Sequence, residues 1–373
     1  MKFGMKWEMI LPLALFIAFL FFRSFSDSEY YLIQAGDSAK YLVLAKNFPY
    51  HKAYNDQFYI VHPPLYPYAI HFASYFVEDH LAGILVSIIS AAITFFIVYK
   101  LIILINGNHY IALGSLSLFA LSQVFIQKTA NVLKEPFAIM LILSSIYFFV
   151  LFLKKGKISN IWLSSFFGIL TGLTSDHVLL LILSLMAAYI IFVGKNKLLP
   201  AAIPIIAASL SYALWIFARI YAYATNEFYN VGLDGTVVNV SNWGLRQLLS
   251  PVFFSDMASI VPFRIVLEPS HYIYAIAYML NLAIAPWPSG LRFSNIEVLF
   301  SFRYILQSVI YTILALAAVY GTFKILKSVF SKGIRRNGMA LVLILFVIFL
   351  SPLTQEVASN RYTLTAIIFL FII

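Results

Sequence analysis

The chain has 373 residues, 62% of them apolar, 17% aromatic and 11% charged, with a net charge of +10 and no cysteine. Soluble domains are about 45–50% apolar and about 25% charged, so the composition predicts an all-α, polytopic helical membrane protein. The lack of cysteine excludes disulfides and thiolate chemistry, no His-x-x-x-His spacing offers a zinc motif, and no glycine-rich phosphate loop points to an ATP-driven pump.

A basic start (Lys2, Lys6) precedes an apolar run from Met9 to Phe22 without a small-residue cleavage site, which predicts a signal anchor. A polar stretch from Ser26 to His80 follows, too long and mixed to cross. Spans are then expected at about 81–105, 110–126, 136–153, 158–175, 177–193 and 198–222, followed by a second polar stretch at about 223–270. The segment at about 271–290 is aromatic and broken by Pro286 and Pro288, and further spans are expected at about 299–323 and 339–353. The final apolar segment, Tyr362 to Ile373, would rise only about 18 Å against a hydrocarbon core of about 30 Å, so the natural chain is expected to continue. The pattern predicts about nine to eleven membrane segments in a single transmembrane domain over 1–373.

Basic residues beside short loops set the orientation. With the N-terminus in the cytoplasm, Lys2, Lys6, Lys100, Lys154, Lys155, Lys157, Lys195, Lys197, Lys324, Lys327, Lys332, Arg335 and Arg336 collect on the inner side, with Glu8 as their acidic companion. Full crossing by 271–290 would put the cluster Lys324 to Arg336 outside, so that segment is expected to be re-entrant or interfacial. The positive charge therefore belongs to the inner surface of a plasma membrane and its lipids, not to nucleic acid, and both long polar stretches face outward.

Three outer groups carry candidate chemistry. In Gly36-Asp37-Ser38-Ala39-Lys40-Tyr41, continuing to Phe48, the residues Tyr41, Leu44, Ala45 and Phe48 recur at helical spacing, which predicts an amphipathic helix along the membrane surface. Asp37 at its start reads either as a helix cap or as a general base. His62-Pro63-Pro64-Leu65-Tyr66-Pro67 predicts a rigid corner before a second surface helix, where His62 and Tyr66 either sit in the headgroup belt or donate hydrogen bonds to a phosphate or sugar. In Lys134-Glu135-Pro136, Glu135 reads as a cap at a helix start or as a catalytic or cation-binding carboxylate.

Taken in order, these groups resemble the membrane glycosyltransferases of the GT-C superfamily, nearest to dolichyl-phosphate-mannose protein mannosyltransferases and the aminoarabinose transferases that modify lipid A. The carrying residues are Asp37 and Tyr41, the Pro63-Pro64-Leu65-Tyr66-Pro67 corner, Glu135, and Asn360-Arg361-Tyr362 near the C-terminus. The chain departs from relatives at His62, where they often carry Lys, and at Thr174-Ser175-Asp176-His177, where they tend to show Thr-Arg. The resemblance implies an inverting transfer from a polyprenyl-phosphate sugar to a protein, lipid or glycan acceptor. It casts Asp37 as base and Arg361 as phosphate partner, with Lys40, His62 and Lys134 as lesser candidates for that partner. Glu135 would orient the acceptor or hold a divalent ion, with no independent metal signal in the sequence. An oligosaccharide polymerase or ligase using Arg246 and Arg264, and a transporter or flippase, are the competing readings.

Overall fold

The structure is a computed structural model that describes residues 7–24, 36–50, 62–106, 109–120, 123–175, 178–192, 198–224, 229–231 and 237–239. They fall in a compact unit built from 1–116 and 125–254, apart from those within 117–124, which are grouped with 255–373. The expected elements at 271–290, 299–323, 339–353 and 362–373 lie outside the described residues.

The elements are α1 (Trp7–Ser24), α2 (Gly36–Lys46), α3 (Leu65–Ser74), α4 (Asp79–Asn106), α5 (His109–Ala120), α6 (Gln123–Ala130), α7 (Glu135–Lys155), α8 (Ile158–Gly172), α9 (Val178–Phe192) and α10 (Leu198–Ala224). A short antiparallel pair, β1 (Tyr229–Val231) with β2 (Val237–Asn239), places Tyr229 opposite Asn239 within the second polar stretch. Asp79–Ile105, Glu135–Lys155 and Leu198–Ala218 are each long and apolar enough to cross a membrane, and Ile10–Phe21 and Ile158–Gly172 are shorter apolar helices. In hydrocarbon each backbone N–H and C=O must be paired within the protein, which a helix achieves by itself. The protein is an integral membrane protein.

Side-chain bonds at both ends show how the helices run. Ser87, near the start of α4, donates to the Asn131 carbonyl just before α7 (3.5 Å), and Lys154, near the end of α7, donates to the Leu104 carbonyl near the end of α4. The two long helices therefore run parallel. Helix α8 returns antiparallel to α7, locked by reciprocal bonds from Ser145 Oγ to the Ser164 carbonyl (2.8 Å) and from Ser164 Oγ to the Ser145 carbonyl (2.9 Å). The reversal uses Gly156, whose φ of 70° suits glycine and whose N–H bonds the Phe152 carbonyl at 2.7 Å. Helix α10 lies along α8 in the same direction, with Gly168 against Pro204 and Ala208 and Gly172 against Ser211 and Tyr212. The starts of α4 and α7 and the ends of α8 and α10 thus share one end of the array.

Helix α1 joins the same set. Phe16 and Phe19 pack on Phe95 at 5.5 and 5.4 Å between ring centres, and Arg23 Nε donates to the Thr129 carbonyl at 3.1 Å. The two surface helices dock at the common end. Tyr41, Ala45, Tyr66 and Ile70 form one buried apolar cluster with Ala82, Val86, Val132 and Leu133. The His71 Nδ1–H donates to the Ala45 carbonyl (2.9 Å), Phe48 stacks on the His71 ring (4.5 Å), and Lys46 pairs with Asp79 (3.2 Å).

Over the span expected at 110–126 the described residues are helical, as α5 and α6, and 121–122 lie outside the described residues. The other described spans fall within a few residues of expectation.

A Cβ on Gly172 would lie 3.1 Å from both Ser211 Cβ and the backbone nitrogen of Tyr212. Gly172→Ala is therefore expected to force α8 from α10 and destabilise the protein by about 1–3 kcal/mol, the usual cost of overpacking, read as a lower midpoint in mixed-micelle denaturation.

Candidate functional site

The site builds upward from the proline corner. Pro63 and Pro64 cannot donate backbone hydrogen bonds, so the first available N–H is that of Leu65, which donates to the Leu173 carbonyl at the end of α8 (2.9 Å). That bond seats the corner on the helix array and aims the first turn of α3 inward. Tyr66 is consequently fully buried, edge-on to Tyr41 with ring centres 5.0 Å apart and 6.0 Å from Phe137. His62 is buried at 8% exposure with its ring 4.7 Å from that of Tyr41. The helical spacing read from the sequence puts Tyr41, Leu44 and Ala45 on the buried face of α2.

Glu135 is the first residue of α7 and only 4% exposed, although carboxylates are rarely buried without partners. Its Oε2 has no hydrogen bond, and neither does the Tyr66 hydroxyl or Ser38 Oγ. Lys134, at the N-cap position, makes no capping bond through its side chain. Burial pushes the Tyr66 phenol far above its ordinary range; Ser87 beside it pulls the other way, and the charge of Glu135 adds to the rise. Ser87 Oγ lies within reach of the Gly83 carbonyl at 3.1 Å as well as the Asn131 carbonyl, and the Tyr66 hydroxyl makes no hydrogen bond of ordinary geometry.

The expected site residues divide accordingly. Tyr41, His62, Tyr66 and Glu135 come together from α2, the corner and α7. Lys40, on α2 next to Tyr41, is partly buried, and desolvation lowers its pKa. Lys134 is partly exposed beside Glu135. Asp37 belongs to the first turn of α2, while its side chain, like all of Asp176, His177, Arg246, Arg264 and Arg361, lies outside the described residues.

The sequence reading missed Lys128. It sits on α6 and is partly buried; desolvation lowers its pKa, and the field of Glu135 partly restores it. Its neighbour Thr129 accepts the Arg23 bond through its carbonyl, so a second cation approaches the same turn. The signal available in the sequence was the polar run Gln123 to Thr129 inside an otherwise apolar stretch. Among the described residues, no group of three histidines or carboxylates gathers to hold a metal ion.

The chain matches the family model for dolichyl-phosphate-mannose-protein mannosyltransferase over residues 61–222. The resemblance to the GT-C superfamily is borne out. The matched stretch includes the corner, Lys128 and Glu135, the polar groups that α3, α6 and α7 bring to the common end, and it supports a membrane glycosyltransferase of the GT-C type. Asp37 and Arg361 fall outside it. No curated protein matches the chain.

The charged form of a desolvated lysine costs folding energy below its lowered pKa, and the cost disappears as pH rises into the ordinary lysine range near 10.4. Lys128→Met is therefore expected to raise the ligand-free melting temperature at pH 7. That gain should shrink as the pH approaches 10, in thermal melts recorded across the interval.

Proposed function

We propose that the protein is an inverting glycosyltransferase moving a sugar from a polyprenyl-phosphate donor to an acceptor hydroxyl at the outer membrane face. The observation that carries this reading is the convergence of three separate sequence groups at one end of the helix array: the Tyr41 face of α2, the His62–Tyr66 corner and Glu135. Lys100, Lys154, Lys155 and Lys157 lie towards the other ends of α4 and α7. Basic residues favour the cytoplasmic side, which supports an inner position for that end and an outer one for the polar cluster. Apolar helix surfaces suit a polyprenyl tail, and the polar end suits its phosphate and sugar.

In this reading Asp37 takes the proton of the acceptor hydroxyl while that oxygen attacks the anomeric carbon. The bond from that carbon to the phosphate oxygen breaks, and the lipid phosphate departs with the electron pair. The configuration inverts because attack and departure occur on opposite faces. Arg361 is the proposed partner of the growing phosphate charge, since guanidinium binds phosphate bidentately, with Lys40, His62 and Lys134 in support. A partly desolvated ammonium such as Lys40 is poorly satisfied without ligand and gains most from an arriving anion. The acceptor is a protein, lipid or glycan hydroxyl.

The test is release of polyprenyl phosphate from a panel of lipid-linked sugars by protein in liposomes with membrane extract as acceptor. General-base assistance contributes about 10²–10⁴-fold, so Asp37→Asn is expected to lower turnover by that factor while the protein remains folded. Turnover that survives Asp37→Asn but needs Arg246 and Arg264 would replace this reading with a polymerase or ligase. No turnover with any lipid-linked sugar would point to a transporter.

A further inference from the structure

Three buried polar atoms lack a hydrogen bond where the surface helices meet α7: Ser38 Oγ, the Tyr66 hydroxyl and Glu135 Oε2. Each unsatisfied buried group costs about 1–3 kcal/mol, more when charged. Within the protein neither the Tyr66 hydroxyl nor Glu135 Oε2 makes a hydrogen bond that would account for its burial.

The chemistry of the pair restricts what can satisfy it. An ionised carboxylate only accepts hydrogen bonds. The Tyr66 phenol, held protonated by its burial, has a proton to give. A phosphate oxygen could accept from the phenol, but Glu135 would repel it. A metal ion could bind the carboxylate, but Lys128 would oppose it. A hydroxyl group donates to Glu135 and accepts from Tyr66 at the same time, with no net charge for Lys128 or Glu135 to reject.

We propose that Tyr66 and Glu135 form a subsite for a hydroxyl of the sugar being transferred, distinct from the cations that meet the phosphate. This rests on the glycosyltransferase reading and deepens it. The subsite selects the donor by its sugar.

The test uses the full chain in liposomes and the lipid-linked sugar that the wild type turns over, together with its monodeoxy analogues and the bare polyprenyl phosphate. Thermal shifts without acceptor report donor binding. Tyr66→Phe is expected to keep the ligand-free melting temperature, since its hydroxyl bonds nothing in the protein, and to weaken binding of the sugar-bearing lipid at least tenfold while leaving bare polyprenyl phosphate unchanged. Glu135→Gln is expected to do the same. One monodeoxy analogue should show the same loss on the wild type and no further loss on Tyr66→Phe, the mark of a direct pair.

Unchanged donor binding with a raised KM for acceptor would overturn the donor assignment and give the hydroxyl to the acceptor. Equal loss for sugar-bearing and bare lipid would overturn the subsite in favour of a phosphate contact. No effect of either variant would mean that water fills the gap, and the subsite would be wrong while the transferase reading stands. Failure of the wild type to bind or turn over any lipid-linked sugar would overturn both.

Discussion

The polar end of this protein depends on how the Tyr66 ring is held. Its edge meets Tyr41 on α2, its other side approaches Phe137 on α7, and its backbone belongs to the turn that the Leu65 N–H ties to α8. One aromatic side chain therefore joins a surface helix to two membrane helices. Fully burying such a ring contributes about 1.5–3 kcal/mol and edge-to-face geometry about 0.5–1.5 kcal/mol more. That stabilisation offsets the cost of carrying a phenol and a carboxylate into the same region without partners.

The sequence made some of this visible and hid the rest for physical reasons. Helices α4 and α7 stand out because each holds a long, uncharged and largely apolar run, 81–99 and 136–153, which suits a bilayer. The buried face of α2 is visible because the spacing of Tyr41, Leu44 and Ala45 follows the helical period. Glu135 was ambiguous. A carboxylate at a helix start beside Pro136 reads equally as a cap, and the choice depends on neighbours contributed by α3 and α6, which no local pattern contains. The structure gives its Oε2 no capping bond and a lysine for company.

Lys128 was hidden for a related reason. Loops between spans usually carry lysines that reach water, so a lysine next to an apolar run reads as a solvated charge. Its partial burial depends on neighbours from other elements, which the local hydropathy pattern does not contain. The corner illustrates the opposite case. Proline restricts the backbone so strongly that Pro63 and Pro64 could be read as a rigid turn from sequence, whereas the identity of its anchor, the Leu173 carbonyl, required the folded chain.

Helix α8 has 15 residues, a rise of about 22 Å where the hydrocarbon core measures about 30 Å, and it shows Trp162 and Phe166 on its outer surface. A bilayer meeting so short an apolar belt thins to match it, at a fraction of a kcal/mol per Å. Because the far end of α8 holds the proline corner, such thinning would bring headgroups closer to the Tyr66 cluster. A lipid entering from the side would have a shorter climb for its polar head, and a thicker membrane would lengthen that path without altering a single side chain.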